Sequence, residues 1–249
     1  VINGDDVNIK KISKKISRAQ IKFGQSKGCD YQITKISSSK GKQSFEIFDR
    51  KNNKEHKFKI NLPGRHNIFN AAAAIAVSME EGIPLRVIKS GIQKFSGVGR
   101  RYEKHDLIIN QKKVILIDDY GHHPLEIESN INAYKEEFPN KKVCMIFQPH
   151  RFSRTAQLFD DFVRVLNKTD LLILLDIYSA SEKPIRGIHS RTIAETIKQE
   201  GHKNVIYLKS HDDVNDLIID KIEDFDILVT QGAGSVSKVC ESIKNQWTK

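Results

Sequence analysis

Two stretches of this chain gather side chains that packing alone would not select. IDDYGHHP, at 117–124, puts two carboxylates, a phenol and two imidazoles within six positions. Strand alternation sends Asp118 and Asp119 to opposite sides. Adjacent His122 and His123 cannot both face one ion easily from regular structure, which argues against a protein-only zinc site. Hydrogen bonding to a ribose, a substrate or a neighbouring domain is the better reading. FQPHRFSRT, at 147–155, sets Arg151 and Arg154 three apart where a loop enters a helix. Helix N-termini already favour anions, and a guanidinium fork holds two oxygens at once. A carboxylate or phosphate is the natural ligand, and a pair of surface arginines is the alternative.

Three further stretches carry weaker signals. In LPGRHNIFNAAAA, at 62–74, His66, Asn67 and Asn70 open a helix, and the two asparagines share a face. An Asn amide offers a donor and an acceptor, which suits the edge of an adenine, although His66 or Asn67 could equally cap the helix. In GVGRRYE, at 97–103, Arg100 and Arg101 could reach phosphates, pair with Glu103, or form an interdomain salt bridge. TQGAGSVSKV, at 230–239, reads as strand, glycine turn and helix, able to cradle a phosphate. It matches G-x-G-x-x-G only in part, because Ser237 stands where the third glycine belongs. No G-x-x-x-x-G-K-[ST] occurs, so nothing in the chain looks able to hold a triphosphate with its magnesium.

The elements that must position these residues follow from the hydrophobic pattern. YQITKIS, QSFEIFD and HKFKINL alternate as half-buried strands, separated by the polar turns SSKGK and RKNNKE. VINGDD reads as a strand end entering a loop. A helix is expected over Ile68–Glu81, with Gly82 just past its end and Pro84 opening a second helix through Lys94. After Gly99 the pattern becomes strand, loop, helix, repeated. Strands are read at VILIDD, VCMIF, LLILLDIY, VIYLK and ILVTQ. Between them, Pro124–Phe138 reads as a helix with Leu125, Ile131, Tyr134 and Phe138 inward. Thr155–Leu166 reads as another, with Leu158, Phe159, Phe162 and Leu166 inward. This alternation predicts an α/β fold with a mostly parallel sheet covered on both faces. In such a sheet ligands bind beyond the carboxyl ends of the strands, where the unusual residues of the second half fall.

Composition narrows the classes. The 249 residues allow one large domain or two modest ones. No apolar run approaches bilayer length, no signal-peptide pattern opens the chain, and the start at Val1 reads as a trimmed fragment. Three scattered cysteines imply no disulfide framework and fit a reducing cytoplasm. The formal net charge of +10 would suit a polyanionic partner, nucleic acid included. The lysines are scattered and not interleaved with aromatics, so a solvated surface is preferred and no nucleic acid is expected.

In this order and spacing, LPGRHNIFNAAAA, GVGRRYE, DDYGHHP and FQPHRFSRT resemble the Mur ligase family of bacterial cell-wall enzymes. The resemblance runs from VINGDD to the last helix. Within the family, FQPHRFSRT after DDYGHHP resembles the alanine-adding pattern. Murein-recycling ligases have a similar DD-aromatic-A-HHP segment without the two-arginine element. The resemblance implies that 1–98 is the β-hairpin and helix tail of a central ATPase domain, and 99–249 a C-terminal Rossmann-like domain. It implies ligation of L-alanine to UDP-N-acetylmuramate through an acyl phosphate, with ATP and Mg2+, in the cytoplasm. His66, Asn67, Asn70, Arg100, Arg101 and Asp119 would contact ATP. Tyr120, His122, Arg151 and Arg154 would surround the substrates, and His122, His123 and Arg151 are the candidate catalytic residues. Metal ligands are expected outside this chain, which alone would be inactive. The C-terminal domain would swing on a hinge near Ser96–Arg100. The alternatives are a recycling ligase that adds a peptide, and a non-catalytic nucleotide- or nucleic-acid-binding module.

Overall fold

The opening VINGDD folds as its residue types demand. Asp5 accepts hydrogen bonds from the backbone of Gln25 and Ser26, at 2.6 and 2.9 Å, and so ties the first strand to the turn after the second. Asp6 accepts from the amides of Asn8 and Ile9 and caps the first helix. The computed structural model describes residues 1–39 and 42–248, so the tip of the SSKGK turn lies outside the described residues. The chain divides into two compact units, 1–96 and 97–249.

The first unit runs β1 (Ile2–Asn3), α1 (Val7–Ser13), β2 (Lys22–Gly24), β3 (Tyr31–Ser39), β4 (Lys42–Asp49), β5 (Lys54–Ile60), α2 (Arg65–Glu80) and α3 (Leu85–Lys94). Its strands form one sheet in chain order, parallel from β1 to β3 and antiparallel from β3 to β5. Phe45, Ile47 and Phe58 pack against Ile68, Ala72 and Ile75 of α2, whose small residues let the helix sit close to the sheet. α2 begins a turn earlier than its apolar spacing predicts. Gly64 takes the N-cap position at φ 86, where glycine is favoured. Gly64 has no side chain with which to cap the helix, and the Asn67 amide donates to Pro63 O.

The second unit runs β6 (Glu103–Ile109), β7 (Lys112–Asp119), α4 (Pro124–Glu137), β8 (Val143–Phe147), α5 (Phe152–Gln157), α6 (Phe159–Leu166), β9 (Leu171–Leu175), α7 (Ser190–Gln199), β10 (Val205–Leu208), α8 (Val214–Asp220), β11 (Ile227–Gln231) and α9 (Val236–Trp247). The sheet order is β10-β9-β8-β11-β7-β6, parallel throughout except for the β6–β7 hairpin. Alternate residues of β8 feed two cores. Val143, Met145 and Phe147 join α4, α6 and α7, while Cys144 and Ile146 join α8 and α9. This is the expected Rossmann-like α/β sheet, covered on both faces.

Four local expectations are corrected. β6 is a strand that the hydrophobic pattern does not predict. It pairs with β7 across Asn110–Gln111, both at positive φ, as a two-residue hairpin turn requires. Leu125 is 63% exposed, because Ile127, Ile131 and Tyr134 set the buried face of α4. The helix expected over Thr155–Leu166 is two helices, α5 and α6, broken at Leu158, which leaves helical geometry at φ −118 and ψ 25. The strand read through Tyr178 ends at Leu175, and Tyr178 pairs again with His150 only as an isolated parallel bridge. Among the described residues no helix is long and apolar enough to cross a membrane.

Candidate active site at the carboxyl ends of the second sheet

The strand ends of the second unit are knitted by a buried polar lattice. Asp118 leans to one side, accepting from the Arg100 guanidinium at 2.9 Å and the Thr230 hydroxyl at 2.9 Å. Asp119 leans to the other and accepts three N–H groups, from Tyr102 N, Gly121 N and the Gln231 amide. The opposite orientations are those of strand alternation. Gln231 also donates to Gly121 O and accepts from Asn130 of α4. Gln148, at the end of β8, donates towards Asp176 O and Ser235 Oγ and accepts from Val236 N at 2.9 Å. Its amide fills the turn between β11 and α9 and takes up the first N–H of that helix. The phosphate-cradle reading of TQGAGSVSKV therefore meets an occupied turn. A Cβ at Gly234 would lie 2.5 Å from Gln148 Oε1 and 2.6 Å from Tyr178 Cβ, so only glycine fits there.

On this floor stands a row of rings from three strand ends. Tyr120 meets His122 edge-on at 5.6 Å between centroids. His122 faces His150 at 5.2 Å, and His150 stacks on Tyr178 at 5.4 Å. Arginines surround the row. Arg100 and Arg101 both lie over Tyr120, each 5.4 Å from the ring centre. Arg154 Nη1 is 3.4 Å from His150 Nδ1 and 3.3 Å from His150 O. Arg151 is exposed, with φ 74, and its backbone is fixed by an N–H bond to Tyr178 O. Glu182 holds the start of α5 by accepting from Ser153 N and Oγ.

The three histidines nearest this crevice differ in environment. His123 is the N-cap of α4 and accepts from Leu125 N, while Glu126 accepts from the amides of His122 and His123. Burial raises the Glu126 carboxyl. The two amide bonds and the Arg101 guanidinium outweigh that and hold it below the usual carboxylate range. His122 is pushed below the ordinary imidazole value, first by burial and then by Arg154 and Arg101. His150 is pushed down likewise, by burial, His122, Arg154 and Arg151. Both rings are therefore neutral at pH 7 beside fixed cations.

The second unit thus brings together Tyr120, His122, Arg154, Arg100 and Arg101 of the expected residues, with Arg151 at the edge. Asp119 is 4% exposed and its oxygens are engaged inside the protein. The guanidiniums of Arg100 and Arg101 pair with Asp118 and Glu126, not with Glu103, which takes the Arg100 amide. His150 and Tyr178, just past β8 and β9, are among the strand-end residues that the sheet rule singles out, and both join the row. In the first unit, Asn67 donates to Pro63 O and Asn70 donates to Asn67 Oδ1, both at the start of α2 beside His66. Among the described residues no three His, Cys, Asp or Glu side chains converge as a metal site.

A mostly parallel open sheet with arginines and a row of rings at its carboxyl ends defines the α/β class of this unit. Comparison with known families is more specific. Residues 100–234 match the Mur ligase glutamate ligase domain, and residues 1–78 match the Mur ligase middle domain. The chain belongs to the Mur ligase family. Solved structures of similar fold include UDP-N-acetylmuramate-alanine ligase from Thermotoga maritima, at 24% identity and TM-score 0.74 over 92% of this chain and 48% of that one. A murein peptide ligase from Psychrobacter arcticus 273-4 aligns at 17% identity and TM-score 0.70, covering 98% of this chain and 50% of its own. A MurF ligase from Thermotoga maritima, solved in complex with ADP, aligns at 20% and 0.67, covering 98% and 52%. The chain spans about half the length of these proteins.

Proposed function

We propose that the protein containing this chain is an ATP-dependent ligase that joins L-alanine to the lactyl carboxylate of UDP-N-acetylmuramate, ATP becoming ADP and phosphate. Membership of the family implies an ATP- and Mg2+-using parent enzyme. The observation that carries the reading is the crevice in which Arg154 and Arg101 flank the Tyr120–His122–His150–Tyr178 row. Its arginines come from the FQPHRFSRT and GVGRRYE stretches.

The physical logic is one of charge. A carboxylate is a poor acyl donor and is first phosphorylated. The amine then attacks the acyl carbon and phosphate leaves. Such a sequence needs positioning and neutralisation of negative charge more than covalent help from the protein. Arg154 and Arg151 are assigned to the alanine carboxylate, and Tyr120 and His122 to the substrates beside it. Arg101, half exposed, is assigned to phosphate. Arg100 and Asp119 hold the wall towards the ATP phosphates and ribose. His66, Asn67 and Asn70 are assigned to the adenine. A cytoplasmic setting belongs to the same reading, and Cys29, Cys144 and Cys240 are all buried free thiols.

The test is phosphate release by the whole protein with ATP, magnesium, UDP-N-acetylmuramate and L-alanine, with this chain as control. Release that needs both substrates, and none from the chain, is expected. Release with a peptide but not with alanine would move the reading to a recycling ligase. No release, with salt-sensitive DNA binding, would move it to a binding module.

A further inference from the structure

Three histidines near the crevice have one ring nitrogen whose partner can play only one part. His122 Nδ1 lies 3.2 Å from the Tyr120 carbonyl oxygen and 3.9 Å from Glu126 Oε2. Both oxygens can only accept, so Nδ1 carries the proton and Nε2 keeps its lone pair. His150 Nδ1 faces Arg154 Nη1, and a guanidinium can only donate. His150 Nδ1 is therefore the acceptor, and its proton sits on Nε2. His123 Nδ1 accepts from Leu125 N, which also puts its proton on Nε2 and commits its lone pair to the cap of α4. Among the described residues, Nε2 of neither His122 nor His150 has a hydrogen-bond partner. The two facing rings, 5.2 Å apart, thus offer opposite polarity, a lone pair from one and an N–H from the other.

We infer that His122 Nε2 is the proton acceptor for the incoming amine and that His150 Nε2–H, with Arg154, is the donor to the amine's carboxylate, His123 being a helix cap only. The assignment rests on the ligase reading. A zwitterionic amino acid fits the polarity, its ammonium facing the lone pair and its carboxylate facing the N–H and guanidinium. One ammonium proton passes to His122 Nε2, giving imidazolium. The freed nitrogen lone pair forms the bond to the acyl carbon. The acyl carbon–oxygen bond breaks, and phosphate departs with that electron pair and the second N–H proton. Around His122 stand Tyr120 and Glu126 from its own segment, Arg101 from the segment before β6, and His150 with Arg154 from the end of β8 and α5. Around His150 stand Tyr178, Arg151, Arg154 and Glu182. Burial first, and then the neighbouring cations, hold both imidazoles below their ordinary range, so the lone pair is available at pH 7 and is lost as pH falls.

The tautomers are read directly from ring 15N shifts of the histidine-labelled chain above pH 7, with H122Q, H123Q and H150Q spectra giving the assignments. The expected result is a protonated Nδ1 for His122 and a protonated Nε2 for His123 and His150. His211 Nε2 lies 3.2 Å from Gln148 Nε2, an amide nitrogen that only donates and shares its two protons among three neighbours, so His211 can show the His122 pattern and the signal lost in H122Q is decisive. A protonated Nε2 on His122 overturns the inference. In the whole protein, H122Q should lower amine-dependent kcat/KM about 100-fold or more and remove its acidic limb. H150Q should raise the amine KM about tenfold and keep the limb. An acidic limb that survives in H122Q and disappears in H123Q also overturns it. A wild type without amine-dependent phosphate release fails the ligase reading instead, and the ring spectra still decide the tautomers.

Discussion

The two units carry their charge in opposite ways. Residues 1–96 hold 19 basic and 8 acidic side chains, a net +11, whereas residues 97–249 hold 22 and 23, a net −1. The crevice with the densest chemistry lies in the nearly neutral unit. Its positive field comes from a few arginines fixed by Asp118, Glu126 and the His150 carbonyl, over a floor of buried amides. In the first unit the basic side chains are mostly solvated, and the candidate residues sit on one partly exposed helix start. Net charge therefore does not locate a site. Fixed charge backed by buried hydrogen bonds does.

The largest effect expected from this contrast is at Gly234. Its Cβ would strike Gln148 and Tyr178, so Gly234→Ala should destabilise the second unit by about 3 kcal/mol. Hydrogen exchange should show amides of 97–249 losing protection while those of 1–96 keep theirs. Gln231→Leu comes next. It strips Asp119 and Asn130 of a buried partner and should cost about 2 kcal/mol in denaturant unfolding. Gly82 in the first unit is the counterpart of Gly234 without a packed floor. Nothing lies within 4 Å of its Cβ position, and only its φ of +71 opposes a side chain. Gly82→Ala should cost about 1 kcal/mol, with protection lost at the α2 end alone. Equal losses at Gly82 and Gly234 would erase the distinction.

Much of the frame was legible because its signals are local. Gly82 and Pro84 punctuate α2 and α3, apolar residues recur at alternate positions in the β3–β5 stretch, and the buried runs of β8 and β9 are uniformly apolar. What was missed depends on tertiary partners. β6 begins with the polar stretch Glu103–Asp106 and is a strand because β7 pairs with it. His123 looks like chemistry in sequence, yet its ring closes a capping box with Glu126, a Glu three positions on that had been available as a signal. Gln148 and Gln231 sit inside FQPHRFSRT and TQGAGSVSKV, but nothing in those stretches marks them as floor amides. Their role follows only from strand order, which brings β8 and β7 to either side of β11.

The electrostatics yield a smaller, pH-dependent effect. Burial leads in lowering the folded-state values of His122 and His150 below 6.5. The unfolded chain then binds more protons between those values and 6.5. Stability is complete above 6.5 and falls as pH drops through that window. The urea midpoint of the H122Q/H150Q double variant should fall less between pH 7 and 5 than that of the wild type. An identical fall in both would contradict the burial and cationic surroundings that lower the two imidazoles.

The most direct test of the central claim is the apparent KM for L-alanine in the whole protein carrying Arg154→Ala and, separately, Arg151→Ala. The crevice predicts an increase of about tenfold to a hundredfold for Arg154→Ala, the loss of a charge-assisted hydrogen bond to a carboxylate, with a smaller rise for the exposed Arg151. An unchanged KM in both variants, with phosphate release still dependent on alanine, would contradict it.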